Sequence, residues 1–397
     1  MSPFHWVFLA SLYTAQFLPV AFFFMGLPVI LRTEGFSLEQ ISALYGLGFI
    51  WVLKFLWAPL IDRLGFGRLG HYRIWLLLMQ ISIALILLII STLDIASEFT
   101  LFVALAMAMT AFAATQDIAT DAIACRLLPS KQRGFGNGVQ IGGGLLGMII
   151  GAGGMLVIYP YLGWQVSLIA LAGFECLAIL PVLLFREASI SDPKTAKHAE
   201  TQPFWKLWQQ AGMLRWALKL VSLNLGVSIA FALLPPFLVD WGWETGPAGL
   251  LLNVIAPMFS LPIALWVGRM LYHGRNKKII PAAIFVQLTG VAGLLLSALY
   301  PSLPLLAPLV ILLIYIGHHA VVTVVLSEMM ARVIPGNEGG DFSSQHSLFL
   351  LTGFVGGALA LQFVALSGYV SGFGASAVIL CCVLAFHLRP KREYVSQ

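Results

Sequence analysis

The chain has 397 residues, 59% of them hydrophobic and only 10% charged, with a mean hydropathy of +0.92. Soluble domains carry about a quarter charged residues, so this composition excludes a soluble globular protein and indicates an integral membrane protein. The net charge of +5 does not indicate nucleic acid, because the basic residues sit in short clusters between apolar spans.

Apolar runs of spanning length fall at about 4–31, 41–61, 74–93, 99–125, 135–158 and 164–185. After a polar stretch they resume at about 213–239, 247–268, 279–300, 303–331, 342–365 and 369–388. The first run, starting at Phe4, has no basic region before it and is long enough to span, so it reads as a retained helix and not a cleaved leader. The four cysteines, Cys125, Cys176, Cys381 and Cys382, all lie in apolar segments without metal-type spacing and read as small core residues. The expectation is an all-α membrane protein of twelve helices in two sets of six. Residues 1–185 form the first bundle, 186–212 a linker and 213–397 the second bundle, with no cofactor and no metal.

Lys and Arg cluster at Arg63/Arg68/Arg73, Arg126/Lys131/Arg133, Arg186 to Arg215, Arg269/Arg275/Lys277/Lys278, Arg332 and Arg389/Lys391/Arg392. With twelve helices, all of these fall on one side. The other side has Arg32 as its only Arg or Lys, beside Glu34, Glu39, Asp94, Glu98, Asp240 and Glu244. The positive-inside rule then puts both termini in the cytoplasm. The linker turns aromatic and basic at Phe204, Trp205, Lys206, Trp208, Arg215 and Trp216, which reads as a tether with a short interfacial helix.

The halves repeat. Arg126 matches Arg332 at an offset of 332 − 126 = 206, and at the same offset Pro129 matches Pro335, Gly134 Gly340, Gly147 Gly353, Gly151 Gly357, Ala58 Ala264 and Arg63 Arg269. Parallel six-helix repeats joined by a cytoplasmic loop resemble the plan of the major facilitator superfamily, in which substrate is held between the halves near the midplane. Gly143, Gly147 and Gly151, with Gly154 after them, suit close packing of the fifth helix, and Gly353, Gly356 and Gly357 repeat the pattern in the eleventh.

The polar residues inside the spans are the functional candidates, because charge at membrane depth is costly and usually faces a bundle interior. Asp117 and Asp121 are four apart, so a helix stacks them on one face. Lys54 lies about 12 Å of helix rise from Asp62, and Asp117 about 13 Å inside Arg126, so the two match in depth. A Lys54–Asp117 pair is expected, serving either as a protonation or substrate-anion site or as a structural ion pair. Asp121 is shallower, and a gate salt bridge near Arg126 is its simpler reading; beside Lys54 it would be a proton carrier. His318 and His319 lie roughly 20 Å of rise inside Arg332, and adjacent positions diverge by about 100°, so at most one faces a central cavity. Either relays protons or hydrogen-bonds between helices. Gln16, Gln116, Asn224 and Glu175 are secondary candidates. Phe22, Phe23 and Phe24 read by default as a lipid-facing run. The second half carries Thr323 and Ser327 at the offsets of the two aspartates, so its polar contribution is expected from His318, His319 or Asn224.

Pro59-Leu60-Ile61-Asp62-Arg63-Leu64-Gly65-Phe66-Gly67-Arg68 resembles the superfamily's loop between helices two and three, with Ala58 where Gly is usual. That implies a charged latch at the cytoplasmic face, built on Asp62 and Arg63 with Arg126, Glu328 and Arg332 as gate candidates. Trp51-Val52-Leu53-Lys54-Phe55-Leu56-Trp57-Ala58-Pro59-Leu60-Ile61-Asp62-Arg63 resembles the helix-two segment of AmpG-type muropeptide permeases. Gln116-Asp117-Ile118-Ala119-Thr120-Asp121-Ala122, with Leu128-Pro129 and Arg133-Gly134, resembles their helix-four segment. Those permeases usually carry two further helices and a longer chain. In this the sequence is more similar to the compact RhtX/FptX-type siderophore importers, with YbtX-like proteins alongside.

The resemblance implies a monomeric, proton-driven importer in a bacterial inner membrane, moving a siderophore or, alternatively, a muropeptide. An intramembrane enzyme is disfavoured. An aspartyl protease needs its two Asp on facing helices, and no Gly-x-Ser-x-Gly, His-Glu-x-x-His or nucleotide loop is present.

Overall fold

The computed structural model describes residues 1–36, 46–65, 70–187, 203–273, 276–300 and 306–388. Glu39, Arg68, Arg275, Arg389, Lys391, Arg392 and linker residues 188–202 lie outside the described residues, as does the side chain of Lys277.

Nine helical stretches among the described residues are long and apolar enough to cross a membrane. Two of them fold back on themselves. Ser130–Leu184 turns at Gly163 (φ 71°) and Glu338–Leu388 turns at Gly368 (φ 79°), a left-handed backbone that only glycine adopts cheaply. Each therefore contributes two helices, which makes eleven. The broken segment from Gly48 to Arg63 is the twelfth.

The helices of the first set are α1 (Pro3–Ala21, continuing through Leu27–Thr33), α2 (Gly48–Leu53 then Ala58–Arg63), α3 (His71–Ser91), α4 (Phe99–Leu127), α5 (133–162) and α6 (164–184). Those of the second are α7 (Met213–Asp240), α8 (Thr245–Leu250 continuing through Ala256–Tyr272), α9 (Asn276–Leu299), α10 (Leu306–Met330), α11 (338–367) and α12 (369–388). The sets meet where α5 packs on α8 and α10, and where α2 and α4 pack on α11.

Small residues set the closest approaches. A Cβ on Gly147 or Gly151 would come within 2.5 and 2.1 Å of α1 carbonyl oxygens, so only glycine lets α5 lie this close. Gly356 and Gly357 repeat the contact on α7 at Leu225, Ser228 and Ala232. Three π-helical turns, Phe22–Gly26 in α1, Ile149–Gly154 in α5 and Leu251–Ile255 in α8, also pack on one another through Gly26, Ala152, Gly153 and Val254.

Two readings of the aromatic residues change. Phe22 and Phe23 are buried, against Trp164 and Phe102, and do not face lipid. In a helix apolar on every side, no periodicity tells the inward face from the outward. The aromatic helix Trp205–Trp208 does more than lie at an interface: Trp208 Nε1 donates to Ser344 Oγ at 3.2 Å, and Phe204 packs edge-on against Phe55.

Candidate functional site

The local sequence of α2 positions the buried lysine. Pro59 has no N–H to donate and its ring crowds the carbonyl four residues earlier, so the α-ladder cannot run through it. The helix tightens to a 3-10 turn at Lys54–Leu56 before restarting at Ala58. Trp57 pins the break to α4 by donating from Nε1 to Thr115 Oγ1 at 3.1 Å. Lys54, at the first position of that turn, is fully buried.

Lys54 Nζ is hydrogen-bonded and ion-paired to Asp117 Oδ2. The other oxygen of Asp117 accepts from Gln16 Nε2 on α1. One turn further along α4, Asp121 Oδ1 accepts from Tyr13 Oη at 3.0 Å and from Gln140 Nε2 at 3.1 Å. Tyr13 and Gln16 are three apart on α1, the spacing that lets one face serve both aspartates. Asp121 Oδ2 lies 3.9 Å from Lys54 Nζ, and this fully buried oxygen has no hydrogen-bond partner among the described residues. Asp121 therefore joins the lysine cluster and not the Arg126 gate, which corrects the simpler expectation for it.

Among the described residues the second set contributes one side chain to this cluster, and it is neither His318, His319 nor Asn224. His346 Nδ1 on α11 is 3.3 Å from Lys54 Nζ. It stands at the offset of Gln140, since 346 − 140 = 206, so the two equivalent positions of α5 and α11 converge on one ionic group. The repeat carried that signal. Ligand atoms of Asp117, Asp121 and His346 lie within 4.8 Å of one another, a spacing one metal ion could use. The Lys54 ammonium stands among them, bonded to Asp117 and His346, and supplies the positive charge itself.

His318 and His319 lie elsewhere on α10. His318 packs against Phe231, and His319 Nδ1 bonds to the Tyr315 carbonyl at 2.9 Å. Asn224 Nδ2 donates to the Phe349 carbonyl at 2.7 Å and ties α7 to α11. Gln116 and Glu175 are fully buried, and neither has a side-chain partner among the described residues; neither reaches the cluster.

At the Arg- and Lys-rich end, Asp62 crosses between the sets. Its two oxygens accept from Gly339 N at 2.9 Å and Gly340 N at 2.7 Å, and from Tyr72 Oη at 2.7 Å. A carboxylate on the first turn of α11 satisfies helix N–H groups that have no intrahelical partner and meets the positive end of the helix dipole. A Cβ on Gly339 would sit 2.6 Å from Asp62 Oδ1. Arg126 adds a second crossing, 3.1 Å from Glu338, while its other nitrogen is 3.9 Å from Glu187. Arg63 is exposed at the end of α2. Glu328 and Arg332 do not bridge the sets: they pair at 3.4 Å, and Glu328 takes Lys219 at 2.8 Å, which fastens α10 to α7.

With this geometry in place, similarity to known proteins defines the class. The sequence model of the Major Facilitator Superfamily matches residues 9–360, and the chain belongs to that superfamily. It is 29% identical over 258 residues to the anhydromuropeptide permease of Escherichia coli (strain K12), covering 64% of this chain and 52% of that one. It is 23% identical over 298 residues to "Putative transporter AmpG 4" of Rickettsia felis, covering 72% of each. Thus the chain spans about half the length of the Escherichia coli relative. The human organic anion transporter MFSD10 shares the fold, with a TM-score of 0.74 at 18% identity, covering 98% of this chain and all of that one. Nine apolar spans among the described residues and the sequence-model match give this chain the multi-pass helical plan of that superfamily.

Proposed function

We propose that this protein is a proton-coupled importer of the bacterial cytoplasmic membrane, and that its cargo is a muropeptide-type solute. The bundle 1–185 would rock against 213–397 around the Lys54 cluster, with both termini cytoplasmic. One observation carries the coupling: two buried aspartates share one buried lysine, and the Asp121 oxygen that faces the lysine at 3.9 Å has no hydrogen-bond partner among the described residues. A surplus negative charge in a dry site is costly, and a proton on that oxygen removes it. Asp121 then carries the transported proton, and Asp117 holds Lys54. When Asp121 releases its proton, Lys54 is drawn toward it and away from His346, loosening a contact between the cluster and the second half.

The cargo follows two relatives named for a substrate, both anhydromuropeptide permeases. The siderophore expectation has no such support. Proteoliposomes with a proton gradient separate the two. Labelled anhydromuropeptide should accumulate and a ferric siderophore should not. Accumulation of the siderophore alone would reverse the cargo, and accumulation of either without a gradient would remove the coupling.

A further inference from the structure

A second site lies far from the Lys54 cluster, at the end of the second set opposite the basic loops. The last turn of α7, the end of α9 and the start of α12 form a small open pocket lined by Phe237, Asp240, Trp241 and Tyr369, with Ser297, Ala298 and Val370. We propose that this pocket binds an organic ammonium group, presented either by a lipid headgroup or by a soluble amine.

Charge and shape select the ligand. Asp240 accepts a hydrogen bond from Tyr369 Oη at 2.5 Å, and no described Lys or Arg pairs with it. Its carboxylate is exposed at the pocket mouth, repels anions and is paired with no cation among the described residues. Around it, Trp241 stacks on Phe237 at 5.3 Å between ring centroids, and Tyr369 meets Phe237 edge-on at 5.3 Å. Aromatic faces attract ammonium ions through the ring quadrupole. A hard divalent cation would want several oxygen ligands. This wall offers one carboxylate, and Ser297 already donates its hydroxyl to the Gly293 carbonyl.

The first set shows that the carboxylate–tyrosine bond alone does not require such a box. Glu34 stands at the offset of Asp240, since 240 − 206 = 34, and accepts from Tyr159 Oη at 2.7 Å. That corner has Arg32 where the second set has Leu238, and Gly35 where it has Trp241. Both corners clasp helices. The first has Arg32 two residues from its carboxylate, bonded to the Phe36 carbonyl at 3.3 Å; the second has no Lys or Arg between 238 and 244 and adds an indole. It also lies at helix ends, the level that Trp and Tyr favour in a membrane.

The test uses the full chain, purified in mild detergent and offered equal amounts of phosphatidylethanolamine and phosphatidylglycerol, with retained lipid read by native mass spectrometry. Phosphatidylethanolamine should be retained by about fivefold over phosphatidylglycerol, and Asp240→Asn should bring the two to parity. Asparagine still accepts the Tyr369 hydroxyl, so the corner stays closed. Tyr369→Phe, which keeps the charge, should keep the preference. In parallel, saturation-transfer NMR with free ethanolamine reports a soluble source. Ethanolamine binding lost in Asp240→Asn, without any lipid preference, supports the ammonium site with a soluble ligand. Absence of both signals, or Asp240→Asn behaving as wild type in both, overturns the site.

Discussion

The two six-helix sets share one plan and differ at the positions where chemistry is possible. In the first, α2 and α4 supply Lys54, Asp117 and Asp121, buried together. At the offset of 206 the second set has Ser260, Thr323 and Ser327. Ser260 and Thr323 give their hydroxyls to carbonyls of their own helices, at 3.0 and 2.7 Å. The second set forms its bundle without these charges, so the fold does not need them. Charges that a fold can do without, and that cost energy to bury, are kept for what they do. The second set instead supplies the partner that can move relative to them, through His346 and the first turn of α11.

The largest effect should come from making the first set resemble the second. Asp117→Asn removes the carboxylate bonded to the buried ammonium and leaves it only Asp121, 3.9 Å away; this should cost about 3 kcal/mol and abolish accumulation. The neutral double variant Lys54→Gln/Asp117→Asn should regain most of the lost thermal stability, yet still fail to transport. Thermal unfolding in detergent and uptake in proteoliposomes read the two halves of this expectation. Uptake by the double variant would make the pair structural.

Next in size is the crossing at the basic end. Asp62→Asn should weaken its bonds to the first turn of α11 by about 1–2 kcal/mol, a shift of about 5–30-fold in the ratio of closed to open forms. Spin labels at Lys131 and Ala331 should then show a new, longer distance. An unchanged distribution would mean that Arg126 and Glu338 hold that end without Asp62.

His346→Gln copies the first set's Gln140 into the second. It keeps a polar partner for Lys54 while removing the imidazole, and uptake should fall by about threefold, the size of one modest hydrogen bond. Complete loss would give His346 a role beyond that contact. The smallest effect is expected at Glu175. The acid is fully buried in the first set but remote from Lys54, and the offset puts Cys381 opposite it. Glu175→Gln should leave uptake unchanged and stability within about 0.5 kcal/mol. A lost gradient dependence in that variant would extend the proton's path to α6.

Much of this was legible in the residues. Span lengths and loop charges give twelve helices, and depth along two helices pairs Lys54 with Asp117. The Asp62 crossing was legible as a latch but not by its partner, because two glycine N–H groups at a helix start carry no charge in a sequence. His346 was legible only by following the repeat from Gln140, since it stands among Ser343, Ser344, Gln345 and Ser347, a polar stretch in which no single residue is marked out. The inward turn of Lys54 depends on Pro59 breaking α2, whereas a run over 41–61 reads as continuous. Burial of Phe22 and Phe23 left no trace, because every face of that helix is apolar.

The most direct measurement compares two transport modes of Asp121→Asn in proteoliposomes. Counterflow exchange of labelled for unlabelled solute needs the rocking motion but no net proton. Uphill accumulation needs both. With the proton on Asp121, the variant should exchange solute at near the wild-type rate and accumulate none against its gradient. Uphill accumulation by Asp121→Asn at the wild-type level would contradict the assignment of the transported proton to this residue.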